Sequence, residues 1–284
     1  MTAFVAHRGI RRVKTISGKV RSHKSILSWF CAVLLVTQLA MPGVMAAESW
    51  RYTALGDSMA FGAFALPGQG YVPSYRNSIE ADTGVDVRLV NLGIPGWKSG
   101  ELLAALRGSL LFRFLVATSP VISLNIGGND LISARNTYKD RTCGGADNQD
   151  CLRATVETFK TNWDSILIEI LSLRSTGNTI IRTMDIYNPF VNEDKVADTW
   201  LNDQGNDFQV VKGYLEAVNN HIAATTAANH IPSAQVYRAF NGPNGELDPS
   251  DAGYIFFDGY HANTRGHRRM AELLRELGFA PLRP

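Results

Sequence analysis

Cysteine is scarce in this sequence, with three residues in 284, and no two of them form a Cys-x-x-Cys pair. No cluster of His, Cys, Asp and Glu has ligand spacing either, so no metal and no cofactor is expected. A dinucleotide-binding Gly-x-Gly-x-x-Gly is missing: Gly93-Ile94-Pro95-Gly96 comes nearest, and Pro95 interrupts it. There is no Gly-x-Ser-x-Gly nucleophile elbow. No apolar run reaches the roughly 20 residues of a spanning helix. Acidic residues are absent from the first 46 positions, which carry seven basic ones (Arg8, Arg11, Arg12, Lys14, Lys19, Arg21, Lys24). Taking those seven from the total of 28 leaves 21 bases against 26 acids on residues 47–284, a net of −5. The overall charge of +2 therefore belongs to the N-terminal segment. The body lacks the basic face that a nucleic-acid partner requires.

That N-terminal segment reads as a secretion signal. A basic stretch is followed by the 15-residue apolar run Ile26–Ala40, then by Pro42-Gly43-Val44-Met45-Ala46-Ala47. Small residues at Val44 and Ala46 suit cleavage after Ala46. The expected organisation is a cleavable leader over 1–46 and one domain over 47–284, secreted and with no membrane span left after cleavage. Cys31 leaves with the leader. Cys143 and Cys151 remain as a pair around the polar loop Gly144–Asp150. Export implies oxidising conditions, so a Cys143–Cys151 disulfide is expected, worth about 2–3 kcal/mol from the loop entropy.

Beyond the leader, strand and helix patterns alternate to the end of the chain. Strands are expected at Tyr52–Leu55, Val85–Val90, Pro120–Ile126, Thr179–Met184 and Ala234–Tyr237. Helices are expected at Pro73–Asp82, Ser99–Leu106 with Ser99 as its cap, Leu152–Leu173, Asp207–Ala228 and Thr264–Leu277. The clearest is Leu152–Leu173, where Leu152, Val156, Phe159, Trp163, Ile166, Ile170 and Leu173 recur at three- and four-residue steps. Alternation of this kind implies a parallel sheet covered on both faces: an α/β fold, a three-layer α/β/α sandwich on a five-stranded, mostly parallel sheet. The segments 131–151 and 187–206 read as long loops that shape a cleft.

Four short blocks fall just past expected strand ends or in the last loop, where such sheets place function. They are Gly56-Asp57-Ser58, Asn91-Leu92-Gly93, Gly127-Gly128-Asn129-Asp130 and Asp258-Gly259-Tyr260-His261. Four chain-distant elements converge on one sheet edge, and together they hold a serine, a histidine, carboxylates and amide donors. Those are the parts of a nucleophilic site.

The blocks resemble those of the SGNH, or GDSL, hydrolase family. Gly56-Asp57-Ser58 with Gly62 is similar to its first block, Asn91-Leu92-Gly93 to its second, Gly127-Gly128-Asn129-Asp130 to its third and Asp258-x-x-His261 to its last. Asn263 and Gly266-His267 continue the usual tail. The resemblance spans about residues 51 to 277 and implies a flavodoxin-like sheet. It further implies a catalytic triad of nucleophile Ser58, base His261 and orienting acid Asp258. An oxyanion hole would come from the Ser58 N–H, the Gly93 N–H and the Asn129 side chain, with Gly93 a glycine so that its backbone approaches the substrate. The implied activity is a serine carboxylic-ester hydrolase of esterase or lipase type.

Other residues have plainer roles. Asp57 orders its turn, Asn91 supports the Gly93 turn, Asp130 caps a turn, and His221, His230 and His267 are structural or solvated. Phe61, Phe64, Leu66, Trp97, Tyr187, Phe190 and Tyr260 flank the blocks as candidate acyl-pocket residues. The expected partner is a small-molecule, lipid or polysaccharide ester, taken up by a monomer. The alternatives are a carbohydrate O-acetylesterase or related acetyl transferase, and a secreted binding module on a dead fold.

Overall fold

A computed structural model of the chain describes residues 14–15, 49–200 and 205–282. The expected leader, apart from Lys14 and Thr15, lies outside the described residues. Contacts divide the chain between Ala46 and Ala47, and the fold below is that of the C-terminal unit.

Its elements in chain order are β1 (Ser49–Gly56), α1 (Ser58–Phe61), α2 (Tyr71–Thr83), β2 (Asp86–Gly93), α3 (Ser99–Gly108), α4 (Leu110–Ala117), β3 (Val121–Asn125), α5 (Gly128–Lys139), α6 (Asp150–Leu173), β4 (Ile180–Met184), α7 (Val191–Lys195), α8 (Asp207–Ala228), β5 (Ser233–Ala234), α9 (Val236–Asn241) and α10 (Thr264–Glu276). The five strands form one sheet in the order β2-β1-β3-β4-β5, and every pair is parallel. This is the flavodoxin-like order, with its switch point between β1 and β3. The register is flush there: Gly56 lies opposite Gly93 on one side and Asn125 on the other.

Strand alternation sorts the core into two layers. Trp50, Tyr52, Ala54 and Val121 pack on one face, under α2 and α10, while Leu55, Ile122 and Leu124 pack on the other, under α3, α6 and α8. Polar groups within the sheet find each other, as Tyr52 Oη and Ser123 Oγ do at 2.6 Å. Among the described residues no helix is long and apolar enough to cross a membrane.

Most of the expected elements form, with shifted ends; α8 has the expected bounds. Four expectations are corrected. Residues 131–139 continue a helix, α5, in which Ala134, Arg135 and Tyr138 are buried at three- and four-residue steps; the polar composition hid that face. Within 187–206 the short helix α7 forms. The fifth strand stops at Ala234, and Val236–Tyr237 open α9, because the Asp185 carboxylate accepts the Tyr237 N–H at 2.8 Å and fixes the turn. Ser99 is the first residue of α3, and Lys98 is the cap. Ser99 instead donates its N–H (2.9 Å) and Oγ–H (2.7 Å) to Asp130, joining α3 to the start of α5. Helix α4, capped by Ser109 through the Phe112 N–H at 3.4 Å, had no sequence counterpart.

Candidate active site

The position of Ser58 follows from how β1 ends. Gly56 has φ +153°, and a Cβ on it would lie 2.2 Å from the Asn125 carbonyl oxygen, so glycine is required where the chain leaves the sheet. Asp57 then accepts the Met59 N–H at 2.9 Å and caps the single turn α1, of which Ser58 is the first residue. Burial pushes the Asp57 carboxyl up to about 7, with the Met59 N–H opposing the shift.

Packing alone requires glycine at Gly93. A Cβ there would lie 2.3 Å from Phe61 N and 2.7 Å from the Ala60 carbonyl carbon. It is the Ser58 turn, seated on the end of β2, that leaves no room. Asn91 locks this contact: its Nδ2 donates to the Ala60 carbonyl at 2.7 Å and its Oδ1 accepts the Gly93 N–H at 2.9 Å. The Gly93 N–H, assigned to an oxyanion by resemblance, is thus engaged by Asn91 in this structure.

His261 reaches the serine from the loop before α10. Its Nε2 lies 2.9 Å from Ser58 Oγ, and its Nδ1 lies 2.6 Å from Asp258 Oδ2. The other Asp258 oxygen accepts the N–H groups of Tyr260 (3.2 Å) and His261 (3.1 Å), so the carboxylate sits in its own tight turn. Burial disfavours the Asp258 charge, but the bonds from His261 and Tyr260 outweigh it and hold the carboxyl below its ordinary value. The loop is anchored twice more. Tyr187 Oη donates to the Tyr260 carbonyl at 2.7 Å, and Asn263 Nδ2 donates to the carbonyls of Gly253 and Ile255 at 3.0 Å each. Asn129, in the first turn of α5, donates one Nδ2 hydrogen to the Trp97 carbonyl at 2.9 Å, which orients the amide and leaves its second hydrogen free of that bond.

These groups open onto a cleft with mostly apolar walls, continuous with solvent. Ser58, Asn129, Tyr260 and His261 line it together with Leu131, Ile132, Leu152, Ile186, Phe190, Val211, Leu215 and Arg135. Arg135 is neutralised there by Asp194 and Glu193 and stacks on Phe190, 3.9 Å from its ring centre. Of the aromatic and apolar residues expected around a pocket, Tyr187, Phe190 and Tyr260 line it. Phe61, Phe64 and Leu66 are exposed on the surface, and Trp97 stacks on Phe112. The pocket walls on α5, α6 and α8 were missed by sequence reasoning, since their apolar residues carry only the ordinary signal of a helix core.

The residues read as structural behave so. His221 pairs with Asp164 at 2.7 Å on the helix surface. His267 is fully buried; its Nδ1 accepts the Tyr71 N–H at 3.2 Å and its Nε2 donates to the Ala63 carbonyl at 3.0 Å. The sulfur atoms of Cys143 and Cys151 lie at bonding distance, with Cα atoms 4.8 Å apart.

The GDSL-like lipase/acylhydrolase family matches residues 54–269, most of the chain and all four blocks. The chain belongs to this family. It is 28% identical over 235 residues to the spore germination lipase LipC of Bacillus licheniformis, covering 82% of this chain and 98% of that protein. Among solved structures, the lipase Lip_vut3 from a goat rumen metagenome aligns with a TM-score of 0.67 at 23% identity, over 82% of this chain and 99% of that one. The acetylxylan esterase Axe2 of Geobacillus stearothermophilus aligns with a TM-score of 0.53 at 20% identity, over 84% and 99%. As a GDSL hydrolase the chain is a carboxylic-ester hydrolase of a fold shared by lipases and esterases.

Proposed function

We propose that this GDSL hydrolase cleaves esters of medium-length acyl groups through an acyl-enzyme on Ser58. The observation that carries the reading is the line Ser58 Oγ–His261–Asp258, at 2.9 and 2.6 Å, whose Ser58 and His261 line a mostly apolar cleft. Asp258 accepts a hydrogen bond from the Nδ1–H, which leaves the Nε2 lone pair facing the serine hydroxyl. Ser58 Oγ attacks the ester carbonyl as its proton moves to Nε2. Collapse of the tetrahedral intermediate breaks the bond to the alkoxy oxygen, which leaves as the alcohol with that proton. Water then attacks the acyl-enzyme, gives a proton to Nε2, and the acid departs as the proton returns to Ser58.

The oxyanion is held by the Ser58 N–H, one of the turn-start donors with no intrahelical acceptor, and by the second Nδ2 hydrogen of Asn129. Gly93 adds a third donor only in a complex where its N–H turns from Asn91. Export with loss of residues 1–46, and a Cys143–Cys151 disulfide in the exported chain, complete the reading.

Ser58→Ala is expected to abolish hydrolysis of p-nitrophenyl octanoate; activity near the wild-type level contradicts the assignment. The apolar lining favours acyl chains over acetyl groups, at about 0.8 kcal/mol per buried methylene. An octanoate ester is therefore expected to exceed the acetate ester at least ten-fold in kcat/KM. The reverse order, with acetate released from acetylated xylan, makes the protein an O-acetylesterase.

A further inference from the structure

The residues around the mouth of the site are apolar and turned outward. Phe257, next to Asp258, is 100% exposed; Phe61 and Leu66 are 59% exposed and Phe64 45%. Phe64 and Phe257 belong to one connected set of rings. The His261 ring lies between Phe64, 4.8 Å away, and Tyr260, 4.2 Å away. Phe64 also packs on Phe256 at 4.7 Å, and Phe256 on Phe257 at 5.4 Å. Phe61 closes the turn that begins with Ser58. Single exposed apolar residues are ordinary, but a connected set around a reactive histidine marks a surface that is covered in use.

The segment carrying Phe64 and Leu66 is held in place. Leu66 N–H donates to Thr264 Oγ1 at 2.9 Å, and the His267 ring bonds to the Ala63 carbonyl, so the 62–70 segment is tied to α10 at two points. Phe64 and Leu66 are therefore displayed by a fixed scaffold.

We propose that this rim docks onto the apolar–water interface of aggregated lipid ester. The choice of occupant rests on the hydrolase reading. A second copy or a folded protein seated on rings that touch His261 would stop the cleft through which an ester reaches Ser58. A lipid surface covers the rings and presents esters to the cleft together. The rim side chains carry no charge, and the body has a net charge of −5. Attraction to an anionic surface is thus not the driving force, and a neutral phospholipid surface suffices.

The test is flotation of the full chain with phosphatidylcholine vesicles, comparing wild type with the double variant Phe61→Ser/Phe257→Ser, beside hydrolysis of soluble p-nitrophenyl acetate. The variant is expected to bind vesicles about ten-fold more weakly or worse, as suits two rings left in water, and to hydrolyse the soluble ester within two-fold of wild type. Binding that is equal in the two proteins, or absent from wild type, overturns the proposal. So does a wild-type dimer that the substitutions dissolve, which makes a second copy the occupant. Ser58→Ala separates the two readings: it is expected to lose hydrolysis and keep vesicle binding. Retained hydrolysis would overturn the Ser58 mechanism while leaving the vesicle comparison readable.

Discussion

At the scale of single residues, the site depends on a few donors and acceptors with fixed partners. Asn129 is oriented by the Trp97 carbonyl, so Asn129→Ala is expected to lower kcat by about 10²–10³ with little change in KM, as loss of one oxyanion donor does. A loss in KM alone would assign Asn129 to ground-state binding. His267 makes a pH prediction. Burial lowers its pKa from 6.5 to about 4, with the Ala63 bond acting the other way. Between pH 6.5 and 4 the unfolded chain therefore takes up a proton that the folded chain refuses. Stability is present above that window and is lost as pH falls through it, by roughly 3 kcal/mol in total. Denaturant titrations across this range are expected to show a shallower pH slope in His267→Gln than in wild type; equal slopes contradict the assignment. Ser58, Asp258 and His261 were legible in the sequence because each stands in a short block of fixed composition. The support of Asn91 for the Gly93 turn was legible too, but its bond to Ala60 and the partners of Asp130 and His267 were not, since those bonds join residues that only the tertiary fold brings together.

At the scale of elements, the cleft is a space between helices. Leu131 and Ile132 come from α5, Leu152 from α6, and Val211 and Leu215 from α8. Helices α5 and α6 are tied where the chain passes between them: Asn148 accepts the Cys143 N–H at 3.0 Å and donates to the Tyr138 carbonyl at 2.8 Å. A Cys143–Cys151 bridge across that loop is worth about 2–3 kcal/mol. Reduction is expected to lower the denaturation midpoint accordingly, and alkylation of the unreduced chain is expected to spare both sulfurs. Labelling of both thiols before reduction rules the bridge out. The long helix α6 was legible from its apolar period, whereas α5 was read as loop: its exposed face is polar, and Arg135, buried against Asp194 and Phe190, disguises the inner one.

At the scale of the whole molecule, the parallel sheet accounts for a site assembled from residues 203 positions apart. The alternation of strands and helices was visible in the sequence, and with it the sheet edge on which the four blocks meet, although the ends of β2 and β5 were not. The flavodoxin-like strand order was implied by the family resemblance, whereas the flush register of Gly56, Gly93 and Asn125 was not. The central claim is that this edge makes Ser58 a nucleophile. The most direct measurement is reaction with a fluorophosphonate ester, followed by peptide mass spectrometry of the adduct. One phosphonyl group per chain on Ser58, with labelling slowed at least 10³-fold in His261→Ala, is the predicted result. An adduct on another residue, or labelling of His261→Ala at the wild-type rate, would contradict it.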